Sequence, residues 1–289
     1  MTFRDDADIG SGRTSKRGKM ALGGGLGLVA VVLIAQLLGV DVTGFLGGSG
    51  GAPAEGQSLE HCQTGADANA DIECRMVGAS ASLEAYWEDA DEAIGVRYEP
   101  PAGGLVLFDQ AVQTGCGSGS SATGPFYCPL DETIYIDVSF FGALQDRFGA
   151  EGGPLAEMYV VAHEWGHHMQ HLTGVLEETR DRETGPTSNA VRVELQADCF
   201  AGAWAAAAST VTDDSGTPFL QPLTDAQIRD ALSAAAAVGD DRIQETTQGE
   251  VDPHAFTHGT SEQRQDWFLA GFRGGADSCD TFSVAGSEL

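Results

Sequence analysis

Apolar residues recur along this chain with two periods. Over 154–173 (PLAEMYVVAHEWGHHMQHLT) the spacing predicts one helix. Pro154 suits its first turn, where a missing N–H costs nothing, and Gly174 suits its stop. Leu83, Tyr86, Trp87, Ala90 and Ile94 share one face of a second predicted helix, over 82–93. A third covers 191–208 (VRVELQADCFAGAWAAAA). Thr224-x-x-Gln227 is a capping box that opens a fourth, ending near Gly239. The last helix runs through Phe272 and closes at Gly274 and Gly275. Residues 104–108 and 133–138 are rich in β-branched and aromatic side chains and read as strands. Between them lies a Gly/Ser loop, 114–124, followed beyond the second strand by a short helix over 140–148. Residues 177–188 read as a polar surface loop. The pattern predicts an α+β domain, helix-rich with a small sheet, in which 133–138 serves as an edge strand for pairing with an extended peptide.

A different pattern precedes that domain. Residues 20–40 carry no charge, and about 20 residues of helix cross a ~30 Å hydrocarbon core. Their glycines are common in membrane helices, and basic residues flank only the N-terminal side. The expected order is a cytoplasmic basic tail (1–19), a transmembrane helix (20–40), a flexible linker (41–60) and a folded domain (61–289). The positive-inside rule makes this a single-pass cell-membrane protein with a cytoplasmic N-terminus and an extracytoplasmic domain. The long polar lead and the lack of an A-x-A site disfavour a cleaved signal peptide.

Charge narrows the partners. The net charge is −28, and residues 1–19 hold five basic and three acidic residues, a net of +2, so the remainder carries −30. That excess excludes nucleic acid as a partner, because phosphate contacts need a basic surface. All six cysteines follow residue 40. An even count in an exported domain predicts disulfides: Cys62–Cys74 and Cys116–Cys128, each closing a short loop, and Cys199–Cys279. Asp67, Asn69 and Asp71 alternate like the start of a calcium loop. Ile72 stands where that loop needs glycine and Gly78 where it needs glutamate, so turn and capping roles are expected instead.

The chemistry centres on His163-Glu164-Trp165-Gly166-His167, an H-E-x-x-H pattern. Positions i and i+4 share a helix face, so both imidazoles can reach one zinc ion, with Glu164 beside them as general base. Apolar Tyr159, Val160, Val161 and Ala162 predict that this helix is buried, and a buried His-Glu-His cluster without a partner is costly. A catalytic zinc takes three protein ligands and keeps one open position. His171 shares the face of His163 and His167, but eight residues of helix rise about 12 Å, too far for one ion. Glu194, on the following helix, is the better third ligand. Asp198, one turn later, can hold the free ring N–H of a ligand histidine. His258, before the last helix, is the candidate donor to the oxyanion, with Arg264 bracing Asp198 or another acid.

These residues, with Glu194-Leu-Gln-Ala-Asp198-Cys199, His258-Gly-Thr-Ser-Glu-Gln-Arg264 and Gly124-Pro-Phe-Tyr-Cys-Pro129, resemble the bacterial neutral zinc metallopeptidases, mostly proteins with an N-terminal membrane segment. The resemblance covers roughly 80–282. It implies a zincin-like, gluzincin-type catalytic core in which His163, His167 and Glu194 hold zinc and Glu164 is the base. The expected function is zinc-dependent hydrolysis of protein or peptide substrates by a hydrolase anchored through 20–40. The competing expectation is an envelope scaffold or binding protein with a structural zinc. An intact Glu164 favours the first, and a fourth protein ligand would favour the second.

Overall fold

The computed structural model describes residues 2–10, 13–17 and 59–289. Strands β2 (Gly104–Phe108) and β6 (Thr133–Asp137) are buried along their whole length and pair in parallel, Leu105 opposite Ile134. Near-continuous apolar strands of this kind need cover on both faces. β1 (Thr14–Arg17) adds in parallel to β2, and β5 (Phe126–Cys128) adds antiparallel to β6, giving the order β1-β2-β6-β5. β3 (Ala111–Thr114) and β4 (Gly117–Ser120) form a separate hairpin in the region read as a Gly/Ser loop. The strand expected at the edge, 133–138, is therefore interior. Among the described strands the edges are β1 and β5, the latter tied at Cys128 to Cys116 by a disulfide.

Helices supply the rest. α1 (Gly65–Ala70) is capped by Thr64 and Asp67. α2 (Ile72–Ala90) starts ten residues before the predicted helix, because Asp71 accepts the amides of Glu73 and Cys74. The Asp67/Asn69/Asp71 run thus caps two helices and braces the chain at Thr2 and Phe3. α3 (Ser139–Phe148) precedes α4 (Pro154–Leu172), which has proline in its first turn and Gly174 at φ 82° beyond its end. α5 (Val175–Glu178) occupies part of the predicted surface loop. α6 (Asn189–Ala207), α7 (Asp225–Ala237), α8 (Asp240–Gln248) and α9 (Ser261–Gly274) complete the domain. Ser188 caps α6, and the Thr224–Gln227 and Thr260–Gln263 boxes open α7 and α9.

α4 lies at the centre, against α2, α6, α7 and the β5–β6 side of the sheet. Missing side chains set how closely the helices meet. A Cβ on Gly166 would lie 2.9 Å from the Cα of Ala197, so the glycine inside the H-E-x-x-H pattern lets α6 touch α4. A Cβ on Gly202 would lie 1.9 Å from the Phe268 carbonyl, and one on Gly271 1.8 Å from the Cys199 carbonyl. α6 and α9 therefore meet backbone to backbone. The three expected disulfides are present: Cys62–Cys74, Cys116–Cys128 and Cys199–Cys279.

The expected domain start near Cys62 needs correction. Residues 2–10 and 13–17 are not a separate tail. Phe3 and Ala7 are fully buried and Ile9 nearly so, and β1 belongs to the main sheet. The predicted membrane helix and most of the linker lie outside the described residues. Among the described residues, no helix is long and apolar enough to cross a membrane.

Candidate metal centre

α4 and α6 bring three candidate ligand side chains, two histidines and a glutamate, to one point. His163 Nε2 lies 3.1 Å from Glu194 Oε2, and His167 Nε2 lies 3.5 Å from Glu194 Oε1. The two imidazole rings stand 4.7 Å apart, nearly perpendicular. Tetrahedral zinc with bonds of about 2.0–2.1 Å separates its ligand atoms by roughly 3.3–3.4 Å. The observed spacings bracket that value, so the residues fit the ion. Within this group only His163, His167 and Glu194 converge, which leaves a tetrahedral ion one open position. The other cluster with metal-ligand side chains among the described residues is His61 with Cys62 and Cys74, whose sulfurs are joined in a disulfide.

Each of the two histidines is held from behind. His163 Nδ1 lies 2.8 Å from Asp198 Oδ1. His167 Nδ1 lies 2.8 Å from Gln170 Oε1, and Gln170 in turn donates to the Val193 carbonyl and to Gln196. These partners leave both Nε2 atoms available to a metal ion. Asp198 is itself fully buried and saturated. Arg264 donates to it through Nε (2.7 Å) and Nη2 (3.0 Å), and the Tyr159 hydroxyl donates to Oδ1. Burial alone would raise the Asp198 carboxyl, but Arg264 and His163 outweigh it and keep it below its ordinary value. Burial likewise opposes ionisation of Glu194, yet His167, His258 and His163 hold it well below the usual carboxylate range.

These side chains open on a cleft of about 300 Å³ lined also by Glu164, His258, Phe126 and Phe140. Glu164 is buried, and that burial pushes its carboxyl up against the pull of His167 and His163. His258 Nδ1 is taken by Asp240 (3.2 Å) and Thr257 (2.9 Å), leaving Nε2 to the cleft. Asp240 is fully buried, and its Oδ2 accepts the amides of Thr257, His258 and Gly259 at 2.7, 2.6 and 3.0 Å. Burial opposes ionisation of His258, but the Glu194 and Asp240 carboxylates raise it.

The neighbouring histidines stand apart from this group. His168 binds the Glu99 carbonyl through Nε2 and the Tyr127 hydroxyl through Nδ1, and burial pushes it down to about 4. His171 packs beside the Tyr127 ring. Sequence reading missed Gln170, Tyr159 and Asp240. Gln170 sits one turn after His167, where a partner for its ring could have been sought. Tyr159 is hidden in an apolar run. Asp240 lies 18 residues before His258, with nothing local to mark it.

Comparison with known proteins shows the family. The family described as "Putative neutral zinc metallopeptidase" matches residues 3–282. An uncharacterized protein of Mycobacterium tuberculosis is 49% identical over 257 residues, 87% of this chain and 86% of the relative. The uncharacterized protein YpfJ of Escherichia coli K12 is 41% identical over 265 residues, 90% of this chain and 86% of the relative. No solved structure gives a significant match. A match that begins in the N-terminal arm, takes in the two ligand helices and ends beyond α9 places this chain in the neutral zinc metallopeptidase family.

Proposed function

We propose that this protein is a zinc-dependent endopeptidase that cleaves peptide bonds in the cleft between β5 and α4. The observation that carries the reading is that Glu164 lines the same cleft as His163, His167 and Glu194. A purely structural zinc needs no such base. Zinc, when bound, supplies Lewis acidity for polarising a carbonyl and acidifying water. Glu164 takes a proton from the attacking water as the new C–O bond forms, and gives it to the amine as the C–N bond breaks. His258 donates from Nε2 to the carbonyl oxygen as negative charge grows there. Asp240 keeps that ring oriented, and Asp198 and Gln170 do the same for the two ligand rings.

The cleft also indicates how substrate lies. β5 is the edge strand beside it, so an extended peptide can add to the sheet there. Phe126, Phe140, Phe148, Val160, Val238 and Ile243 are among its lining residues, which suits an apolar substrate side chain. The test is zinc content and turnover of a mixed peptide library by the purified full chain, with Glu164→Gln as control. One zinc per chain, cleavage beside apolar residues and an inactive, zinc-loaded control support the proposal. A zinc-loaded wild type that cleaves nothing the control leaves intact would defeat it.

A further inference from the structure

Two arginines of different standing line the cleft. Arg264 is buried and committed to Asp198. Arg147 stands exposed in the last turn of α3. Its guanidinium lies over the ring of Phe148, 5.5 Å from the centroid. Among the described residues, no carboxylate or other acceptor holds it. A guanidinium is charged at any ordinary pH and presents five donors in a fixed fork. Laid over a ring, it keeps its N–H edge free for an anion.

The cleft offers this cation no acid of its own. Phe140, Ala143, Phe148, Val160 and Ile243, which line the cleft with it, are all apolar. Among the described residues, the acids of the lining are Glu164 and Glu194. Glu194 converges with His163 and His167, and Glu164 is buried under the pull of the same two histidines. This happens in a chain with 43 acidic residues against 15 basic ones. A cation in the last turn of a helix also complements the helix dipole. Any basic residue on any face would serve that purpose. The dipole does not ask for a place in the cleft, over a ring that lines it too.

We propose that Arg147 is a specificity-determining residue that binds a carboxylate of the peptide substrate, close to an apolar side chain seated against Phe148. An Asp or Glu side chain can supply that carboxylate, and so can the C-terminus of the peptide. Either one matches the guanidinium with two parallel charge-assisted hydrogen bonds. The preferred substrate is then a peptide that carries an apolar residue within one or two positions of a carboxylate. The inference rests on the reading of the cleft as a peptide site and is independent of the catalytic step.

The test is calorimetric titration of the purified, zinc-loaded full chain carrying Glu164→Gln, so that peptide is held without being cleaved. The probes are alanine peptides with one central Phe. One set is capped at both ends and carries Glu or Gln one or two residues from the Phe. The other has no acidic side chain and ends in a free carboxylate or an amide. The ratio of affinities, carboxylate over neutral, is expected to fall about fivefold with Arg147→Gln, the upper end for an exposed pair. It should fall further with Arg147→Glu. The set that responds identifies the source of the carboxylate. Arg273→Gln makes the same change of net charge at an exposed position of α9 outside the cleft lining, and should leave the ratio as it was. A ratio that Arg147→Gln leaves unchanged in both sets, an equal fall with Arg273→Gln, or failure of both members of each pair to bind overturns the inference. Turnover of the same peptides by the wild type separates the two readings. Binding that depends on Arg147 with no turnover defeats the peptidase proposal alone, and cleavage indifferent to Arg147 defeats this inference alone.

Discussion

Arg264 grips Asp198 through two hydrogen bonds, 2.7 Å from Nε and 3.0 Å from Nη2, with both side chains buried. The pair connects the last helix to the carboxylate that orients the His163 ring. Removing one partner of a buried ion pair leaves the other charge stranded, which costs about 3–5 kcal/mol. Arg264→Ala should therefore lower unfolding stability by that amount in urea. Arg264→Lys should recover only part of it, because a point charge cannot reproduce the two-pronged contact. Wild-type stability of Arg264→Ala would show the pair to be dispensable.

The ligand set makes a separable prediction. Glu194→Ala should reduce zinc occupancy, whereas Glu164→Gln should retain zinc and lose turnover. Gln170→Met should weaken zinc about 10–100-fold by freeing the His167 ring. Competition with a chromogenic chelator measures all three. Full zinc affinity in Glu194→Ala would remove Glu194 from the ligand set.

His258→Phe should keep fold and zinc and lower kcat about 10²–10³-fold with little change in KM, the pattern of a contact made in the transition state. Wild-type kcat in this variant would leave His258 without a catalytic role.

Asp240 links that histidine to acid stability. Burial alone would raise its carboxyl, but His258 and the amides of His258 and Thr257 lower it. A depressed carboxylate stabilises the fold fully above its unfolded value, about 3.9. That contribution is lost as pH falls through the lower, folded value. Asp240→Asn should reduce stability at neutral pH and flatten the acid limb of the stability profile. An unchanged acid limb would mean that Asp240 is not depressed.

The arm predicts the behaviour of fragments. Residues 61–289 alone would expose the seats of Phe3 and Ile9, and should unfold at lower denaturant than a chain in which a short Gly/Ser linker replaces 18–58. Equal midpoints would show that the arm adds no stability.

Much of the site was legible because helix period is strict. His163, His167, Glu194 and Asp198 were readable as facing positions on two helices, and Thr224 and Gln227 announced a helix start by local chemistry. What escaped depends on contacts distant in sequence. Phe3 belongs to the core only because Gly65 and Gly78 leave room for it, and no window of the sequence contains all three. The interior place of 133–138 was hidden for the same reason, since β1 and β5 reach the sheet from opposite ends of the order. Asp240 meets His258 across a turn between helices, where no periodicity applies.

The Cys199–Cys279 bridge closes a segment 80 residues long, and that segment contains Asp240, His258 and Arg264. Closing a loop of this size removes about 4–5 kcal/mol of freedom from the unfolded chain. Cys199 adjoins Asp198, so the bond also ties the loop to the residue behind His163. A chain kept reduced lacks this tether, and its candidate metal centre should remain unassembled. Zinc uptake by chain refolded under reducing conditions, compared with oxidised chain, reads the difference directly. Disulfide formation would then act as the switch that assembles the site.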